Sequence, residues 1–188
     1  MNRFLSRRTF SAWVLSAACA LGMLHAVHAV HAAEEPADVF VKRVSGDILD
    51  AIKADKSIHS GDVNKIGLLV DQRVMPNVNF LRMTASAVGP GWRQATPEQQ
   101  KRLQEEFKTL LVRTYAGALG QVNDQTIVVK PLRAAADDKE VLVRTEVRGK
   151  GDPIQLDYRV EKSADGAWKV YNMNVMGIWL VENYKTQF

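Results

Sequence analysis

The fold is decided by residues 140–175, which read EVLVRTEVRGKGDPIQLDYRVEKSADGAWKVYNMNV. Apolar and polar residues alternate along three stretches of this segment, and such alternation predicts β-strands that bury one face. Turn-forming residues at 149–153 and 165–166 separate the stretches, which indicates antiparallel neighbours. We therefore predict strands at 140–148, 154–161 and 167–175, preceded by a further strand at 126–132.

The turns also predict a register for these strands. Symmetric closure of the glycine turn pairs Val147 with Ile154, Thr145 with Leu156, Val143 with Tyr158, and Val141 with Val160. A two-residue turn at 165–166 then pairs Val160 with Tyr171, Tyr158 with Met173, and Leu156 with Val175. These side chains share one apolar face because strand side chains alternate. The other face is predicted to be charged and solvated, with Arg144 opposite Asp157, Glu146 opposite Gln155, and Arg159 opposite Asn172.

Helical periodicity characterises the residues before the sheet. We predict helices over 36–55, from Asp62 to Pro76, from Asn79 up to a break at 89–91, and from Thr96 to Gly120. In the last of these, Thr96 and Gln99 are spaced as a capping box, and Leu103, Phe107, Leu110, Leu111, Tyr115 and Leu119 form an apolar stripe. An amphipathic piece follows the sheet at 177–184. Helices followed by an antiparallel meander predict an α+β fold, with the helical N-terminal half packed on a curved sheet.

Residues 1–32 have the features of an export signal. A short basic region precedes an apolar run, and small residues end at Ala32. The apolar run is about 13 residues, which is too short for a transmembrane helix. Arg7 and Arg8 allow either the twin-arginine or the ordinary Sec route. We therefore predict a cleaved signal at 1–32 and a single exported domain at 33–188.

Charge and reactive residues exclude several classes of function. The formal charge of +4 overstates the basic character, because the signal holds three of the 25 basic residues and no acid. Residues 33–188 therefore carry 22 Lys and Arg against 21 Asp and Glu, which argues against nucleic-acid binding. Without the signal, no cysteine and only His59, in a predicted surface loop, remain. That excludes thiol nucleophiles, disulfides and multi-histidine metal sites. No catalytic residue, metal ligand or cofactor is predicted.

Two interpretations of the apolar sheet face follow from the pattern. The face is either a filled core under the helices, or the wall of an incompletely closed cavity for an apolar ligand. Methionines at 75, 83, 173 and 176 suit a variable guest, but they are also ordinary gap fillers. Composition does not separate the two interpretations.

Several segments resemble the MlaC family of periplasmic phospholipid-transport proteins, also called toluene-tolerance or auxiliary ABC-transport components. They are Gln94-Ala95-Thr96-Pro97-Glu98-Gln99, the helix with Phe107, Leu111 and Tyr115, and above all the tail from Trp168 to Phe188. Residues 75–80 are similar to that family's Val/Leu-Pro…Val-Asp-Phe segment. The chain departs from the family at Asn79 and Asn172, where aspartate is usual. It also departs at Met176 and Trp179, where Glu and Ser are common.

The resemblance implies a carrier that holds phospholipid as cargo inside a nuclear-transport-factor-like cone. Its expected partners are phospholipid, an outer-membrane lipoprotein complex, and an inner-membrane ABC transporter with a substrate-binding ring. Its expected role is to maintain the lipid asymmetry of the outer membrane from the periplasm. Exposing two acyl chains to water costs more than about 20 kcal/mol, so such a carrier needs a large, dry cavity.

The residues expected to contact lipid come from the apolar sheet face, the helices over it and a tryptophan rim. They are Phe80, Met83, Trp92, Phe107, Leu111, Tyr115, Val143, Thr145, Val147, Leu156, Tyr158, Met173, Val175 and Trp179. Three arginines are candidate neighbours of a lipid phosphate or of partner surfaces, namely Arg82, Arg93 and Arg144.

Two rival classes remain open from the sequence. One is an isomerase or dehydratase on the same cone fold, and the other is a structural adaptor of a membrane transport complex. An enzyme of that kind needs an acid or histidine inside the apolar pocket. The register places Glu146, Asp157 and Glu161 on the solvated face, so we predict that the chain is not an enzyme.

Overall fold

Helices precede an antiparallel sheet, and a last helix follows it. The computed structural model describes residues 35–135 and 137–188; the predicted signal at 1–32 lies outside these ranges. The helices are α1 (Ala37–Ala54), α2 (Lys56–His59), α3 (Val63–Leu69), α4 (Phe80–Val88), α5 (Pro97–Leu119) and α6 (Leu180–Lys185). The strands are β1 (Thr126–Val129), β2 (Glu140–Arg148), β3 (Ile154–Lys162), β4 (Trp168–Val175) and β5 (Ile178–Trp179). Among the described helices, none combines the length and the apolar character needed to span a bilayer.

The five strands form one open antiparallel sheet in the order β1-β2-β3-β4-β5. The α+β class predicted from the sequence is confirmed. Strand β2 has the predicted bounds, whereas β1 ends at Val129 rather than at 132, and β3 extends by one residue to Lys162. The final amphipathic piece divides into a short edge strand, β5, and helix α6.

The register of β2 and β3 is confirmed, since Val147 pairs with Ile154 and Val143 with Tyr158. The turn between β3 and β4 was predicted one residue too short. The Ser163 N–H donates to the Ala167 carbonyl at 2.8 Å and closes a three-residue loop, in which Gly166 has a φ of 83°.

A bulge at Tyr171 offsets the longer loop. Val160 pairs with Val170, and the next pair is Arg159 with Asn172, so Tyr171 has no cross-strand partner. The predicted pairing of Val160 with Tyr171 is therefore wrong. The extra loop residue and the extra strand residue cancel, because each shifts the register by one. Beyond the bulge the predicted pairs of Tyr158 with Met173 and Leu156 with Val175 are confirmed.

Side-chain caps fix the helix starts as predicted. The Gln99 N–H donates to Thr96 Oγ1 at 3.3 Å, and the Thr96 N–H donates to Gln99 Oε1 at 2.8 Å, which completes a capping box. Asp62 caps α3 and Asn79 caps α4. The helix predicted to continue to Pro76 instead changes after Leu69 into a π-helical turn and then a 3₁₀ turn.

Three hydrophobic clusters make up the core of the described residues. The first joins the N-terminal half of α1 to the sheet. The second joins α4, α5 and α6 through Phe80, Met83, Ala87, Phe107, Val181 and Tyr184. The third joins the end of α1 to α2, α3 and α5 through Ile52, Ile58, Ile66, Val112 and Ala116. Helix α5 thus packs mainly against other helices. Its predicted stripe was partly wrong, because Leu110 is exposed whereas Val112 and Ala116 are buried.

Candidate functional site

The apolar sheet face packs against α1, and we call it the inner face. It changes from buried to exposed along the strands. Val143 and Val160 are fully buried, whereas Ile154 is 40% exposed and Ile178 is 56% exposed. We call the buried part the closed end, formed by Val141, Val143, Val160, Trp168 and Val170. We call the other part the open end, formed by Val147, Ile154, Leu156, Met173, Val175 and Ile178. Residues of the open end are half-buried or exposed, although their side chains are as apolar as those of the closed end.

Helix α1 accounts for the burial of the closed end. Its residues Phe40, Val41 and Val44 form one cluster with the closed-end side chains, and the Trp168 indole N–H donates to the Glu35 carbonyl at 2.9 Å. Within the described residues, none of the three core clusters includes any side chain of the open end. The open end is therefore an apolar surface without the packing that covers its neighbour.

Tyr158 and Thr145 lie between the two ends. Thr145 is buried and its hydroxyl donates to the Leu156 carbonyl at 2.6 Å. The Tyr158 hydroxyl accepts a hydrogen bond from Ser45 Oγ on α1 at 3.3 Å, so its ring spans the distance from β3 to α1. Burial raises the pKa of the Tyr158 hydroxyl.

The helix residues that were predicted to contact lipid divide into two groups. Phe80, Met83 and Phe107 are buried in the cluster with α6, where the Phe107 ring lies 5.7 Å from Phe80 and 5.1 Å from Tyr184. The structure brings these three residues to each other, and not to the open end. Leu111 and Tyr115 on α5 are half-buried. Burial raises the pKa of the Tyr115 hydroxyl, and the nearby Tyr184 adds to the shift.

The two predicted rim tryptophans lie in different places. Trp92 is half-buried in the 3₁₀ segment Gly89–Gln94, and its carbonyl accepts from Gln100 Nε2 at 2.9 Å. Trp179 pairs with Asn174, which places its side chain on the face opposite the open end. The Arg159 guanidinium lies 4.0 Å from the centre of the Trp179 ring. The placement of Trp179 at a mouth of the inner face was wrong.

The outer face of the sheet is not the solvated surface that the sequence predicted. Arg144 does pair with Asp157, as expected, but Asp157, Asn172 and Asn174 are buried. Asp157 Oδ2 accepts from Gln155 Nε2 at 2.7 Å, whereas Oδ1 has no hydrogen-bond partner in the described chain. The argument that every sheet acid is solvated is therefore corrected, although Asp157 still points away from the inner face.

Helix α6 covers part of this outer face. Asn172 Nδ2 donates to Glu182 Oε2 at 2.7 Å, Asn172 Oδ1 accepts the Val181 N–H at 3.2 Å, and Arg159 reaches Glu182 at 2.6 Å. Burial raises the pKa of Glu182, but the hydrogen bonds from Asn172 and Arg159 outweigh it and lower the pKa overall. The sequence did not predict this contact between α6 and the outer face. The apolar residues Leu180, Val181 and Tyr184 indicated only that the segment has a buried face.

The three arginines that were predicted to lie near a lipid phosphate or a partner surface differ in their exposure and in their contacts with other residues. Arg82 is bound to Glu140 at 2.8 Å and to Glu161, and its guanidinium lies 3.7 Å from the centre of the Tyr171 ring. These contacts hold Arg82 on the outer face, away from the open end, so its proximity to a lipid phosphate or to a partner surface stays a prediction. Arg93 and Arg144 are exposed. Asn79 Nδ2 donates to Glu161 Oε1 at 2.7 Å.

Other candidate features lie away from the open end. Two surface depressions of about 430 and 330 Å³ are lined by residues of 91–106 and 131–144, respectively, and charged side chains contribute to both linings.

His59 ends the short helix α2 and is half-buried, not on a surface loop, and its Nε2 has no partner within the described part of the chain. Among the described residues, no three His, Cys, Asp or Glu side chains are grouped to hold a metal ion.

Comparisons with known proteins agree on one family. Residues 42–188 match the MlaC protein family. The chain is 33% identical over 159 residues to the toluene tolerance protein ttg2D of Pseudomonas putida, an alignment that covers 84% of this chain and 73% of that protein. A phospholipid-binding protein from Ralstonia solanacearum, solved in complex with a phospholipid, has a similar structure with a TM-score of 0.79. It is 51% identical, and the match covers 82% of this chain and 86% of that one. Sequence and fold therefore lead to the same conclusion, that this chain belongs to the MlaC family.

Proposed function

We propose that this protein is a carrier that binds phospholipid through the open end of its inner face. The observation that carries the proposal is the contrast in burial along that face. Val147, Leu156, Met173 and Val175 keep apolar surface accessible beside a fully packed closed end. Leaving such a surface uncovered costs free energy in proportion to its area, so the fold is under-packed unless an apolar ligand completes it.

A phospholipid fits this surface by its chemistry. Each methylene that leaves water contributes about 0.8 kcal/mol, and an apolar wall of valine, leucine and methionine offers the dispersion contacts that replace water. Methionine at 173 suits a guest of variable shape because its side chain is flexible and polarizable. The Ralstonia solanacearum relative, whose structure contains a phospholipid, supports the same ligand class.

The wider role follows from family membership and from the predicted signal. We propose that the protein is exported to the periplasm. There it exchanges phospholipid with an outer-membrane lipoprotein complex and with an inner-membrane ABC transporter that has a substrate-binding ring. This exchange maintains the lipid asymmetry of the outer membrane. The name of the Pseudomonas putida relative supports a link to toluene tolerance. Fractionation of cells expressing the full chain tests the location, because release by osmotic shock is expected and retention in the cytoplasm contradicts export.

Organic extraction of the purified protein, followed by mass spectrometry, tests the ligand. The wild-type protein should yield phospholipid in a fixed ratio to protein. Leu156→Trp should fold and yield less lipid, because the indole occupies space at the open end. Leu68→Trp is the matched control, since Leu68 is exposed on α3 and away from the sheet; its lipid content should equal that of the wild type.

Two results would contradict the proposal. If no phospholipid is recovered and the delipidated protein takes up none from vesicles, an adaptor or an enzyme becomes the better interpretation. If Leu156→Trp is destabilised by about 1–3 kcal/mol in urea and its folded fraction keeps the wild-type lipid content, the open end is ordinary core and not the binding surface.

A further inference from the structure

Tyr158 occupies the boundary between the closed and the open end. On β3 it lies two residues from Val160, which is fully buried, and two residues from Leu156, which is half-buried. Its cross-strand neighbours are Val143 on β2 and Met173 on β4. The buried Ser45 of α1 donates to its hydroxyl at 3.3 Å. The ring therefore crosses the space between the sheet and α1 and is held at both ends.

The two sides of this ring differ. Behind it, Val141, Val143 and Val160 pack against Phe40, Val41 and Val44 in one cluster. In front of it lie the half-buried side chains of the open end. The Tyr158 hydroxyl is bonded to the buried Ser45, yet the residue keeps accessible surface. Because the closed end packs against one side of Tyr158, its accessible part lies on the side of the open end.

We propose that Tyr158 is the floor of the lipid-binding space and sets the longest acyl chain that the protein accommodates. This inference rests on the proposed function. A chain that enters at Ile154 and Ile178 and runs along Leu156 and Met173 meets the Tyr158 ring at the point where the inner face becomes packed core.

The physical consequence is a limit on chain length. Each added methylene that finds an apolar contact should raise affinity about fourfold, and the gain should stop once the chain end reaches the ring. The limit should be sharp because the hydrogen bond from Ser45 fixes the ring. A flexible methionine at the same place would yield to a longer chain.

Binding of a graded lipid series tests the proposal. The delipidated protein is titrated with saturated phosphatidylglycerols that differ only in acyl-chain length, in competition with one fluorescent phosphatidylglycerol. In the wild type, affinity should rise with length and then level off or fall at a break point. In Tyr158→Ala the break point should move to chains longer by about two or more methylenes, because the substitution opens a cavity behind the old floor.

Two control variants separate the floor from general effects. Tyr158→Phe keeps the ring and loses only the hydroxyl and its hydrogen bonds, so the break point should stay within one methylene of the wild type. Tyr171→Ala is the matched tyrosine truncation on the outer face, where Tyr171 contacts Arg82 and Glu140, and it should not move the break point. Tyr158→Leu, which also removes the ring, provides the same test if Tyr158→Ala does not fold.

The outcomes distinguish this inference from the function on which it rests. A break point that stays in place in both Tyr158→Ala and Tyr158→Leu overturns the role of Tyr158 alone, and so does an equal shift in Tyr171→Ala. Failure of the wild type to bind any member of the series overturns the carrier function and this inference with it.

Discussion

The closed and open ends of the inner face have the same sequence pattern and different surroundings. Val143 and Val147 are on the same strand and the same face, four residues apart, yet Val143 is fully buried and Val147 is only half-buried. Alternation along a strand decides which side chains share a face. It does not decide whether another element covers them. A packed sheet face and an uncovered sheet face can therefore have identical periodicity in the sequence.

The covering elements explain the difference. The N-terminal half of α1 carries Phe40, Val41 and Val44 toward the sheet and completes a cluster there. Helix α5 is longer, but it packs mainly on α2, α3 and α4. The inner face therefore has one closely packed helix, α1, at the closed end and an incomplete cover at the open end. Stability should depend on the closed end, and ligand binding on the open end.

A matched pair of substitutions tests this division most strongly. Val143→Ala should lower the free energy of unfolding by about 2–3 kcal/mol, because it removes buried methyl groups and leaves a cavity. Val147→Ala should cost less than about 1 kcal/mol, because one side of Val147 lacks packed neighbours. Urea unfolding of the delipidated proteins measures both. Equal losses would mean that the two ends are packed alike, and would remove the basis of the comparison.

A substitution on the outer face tests whether lipid binding is confined to the inner face. Asn172 is 2% exposed and donates to Glu182. Asn172→Asp places two carboxylates in contact, so it should destabilise the protein by about 1–2 kcal/mol at neutral pH. Lipid content of the folded protein should not change. Asn64→Asp, on the exposed start of α3, should change stability by less than about 0.5 kcal/mol. Loss of lipid from folded Asn172→Asp would contradict the assignment of ligand binding to the inner face.

The turn beyond the open end stores backbone strain. Met176 has a φ of 52° and is 71% exposed, and it precedes Gly177 with a φ of 91°. This pair resembles a type I′ turn, for which Asn-Gly is the favoured sequence. Met176→Asn should therefore raise the free energy of unfolding by about 0.5–1 kcal/mol. Chemical denaturation measures the gain, and a loss of stability would show that the Met176 side chain makes a stabilising contact.

The smallest expected effect is a pH dependence at α6. Because the folded pKa of Glu182 is lowered from its ordinary value of 4.5, its ionised form adds stability above that value, and this stability is lost as pH falls through the folded pKa. The contribution should be at most about 0.5 kcal/mol, since the side chain is half-exposed. The difference in unfolding free energy between wild type and Glu182→Gln should shrink below about pH 4.5. A difference that stays constant with pH would contradict this account, whereas the apolar contacts of the closed end should show no such dependence.

Helix-capping residues, turn residues and strand alternation made much of the fold predictable from the sequence. Capping residues marked the starts of α3, α4 and α5, and the turn at 149–153 specified the register of β2 and β3. These features depend on residues close together in the chain. The inner-face side chains were identified by alternation alone.

The errors arose where distant segments meet. Burial of Asp157 and Asn172 depends on the parts of the chain that lie over the outer face, and docking of α6 there leaves no signal near β4. Phe80 and Phe107 were predicted to face a ligand, and the packing of Tyr184 from α6 against them was not foreseen. Periodicity identifies an apolar helix face and does not identify its partner. The bulge at Tyr171 was missed because two one-residue shifts cancel and leave the far register unchanged.

That cancellation has an evolutionary consequence. Strands β3 and β4 are joined by the loop at 163–167, and the bulge at Tyr171 absorbs the residue by which the loop exceeds a two-residue turn. Loss of one loop residue leaves every pair of β3 and β4 unchanged as long as Ser163 still pairs with Ala167. Loss of Tyr171 also leaves the pairs unchanged, because Val170 and Asn172 already pair with neighbouring residues of β3. Homologous sequences should therefore include hairpins that are shorter by one residue at either place, with Met173 and Val175 on the same side of the sheet.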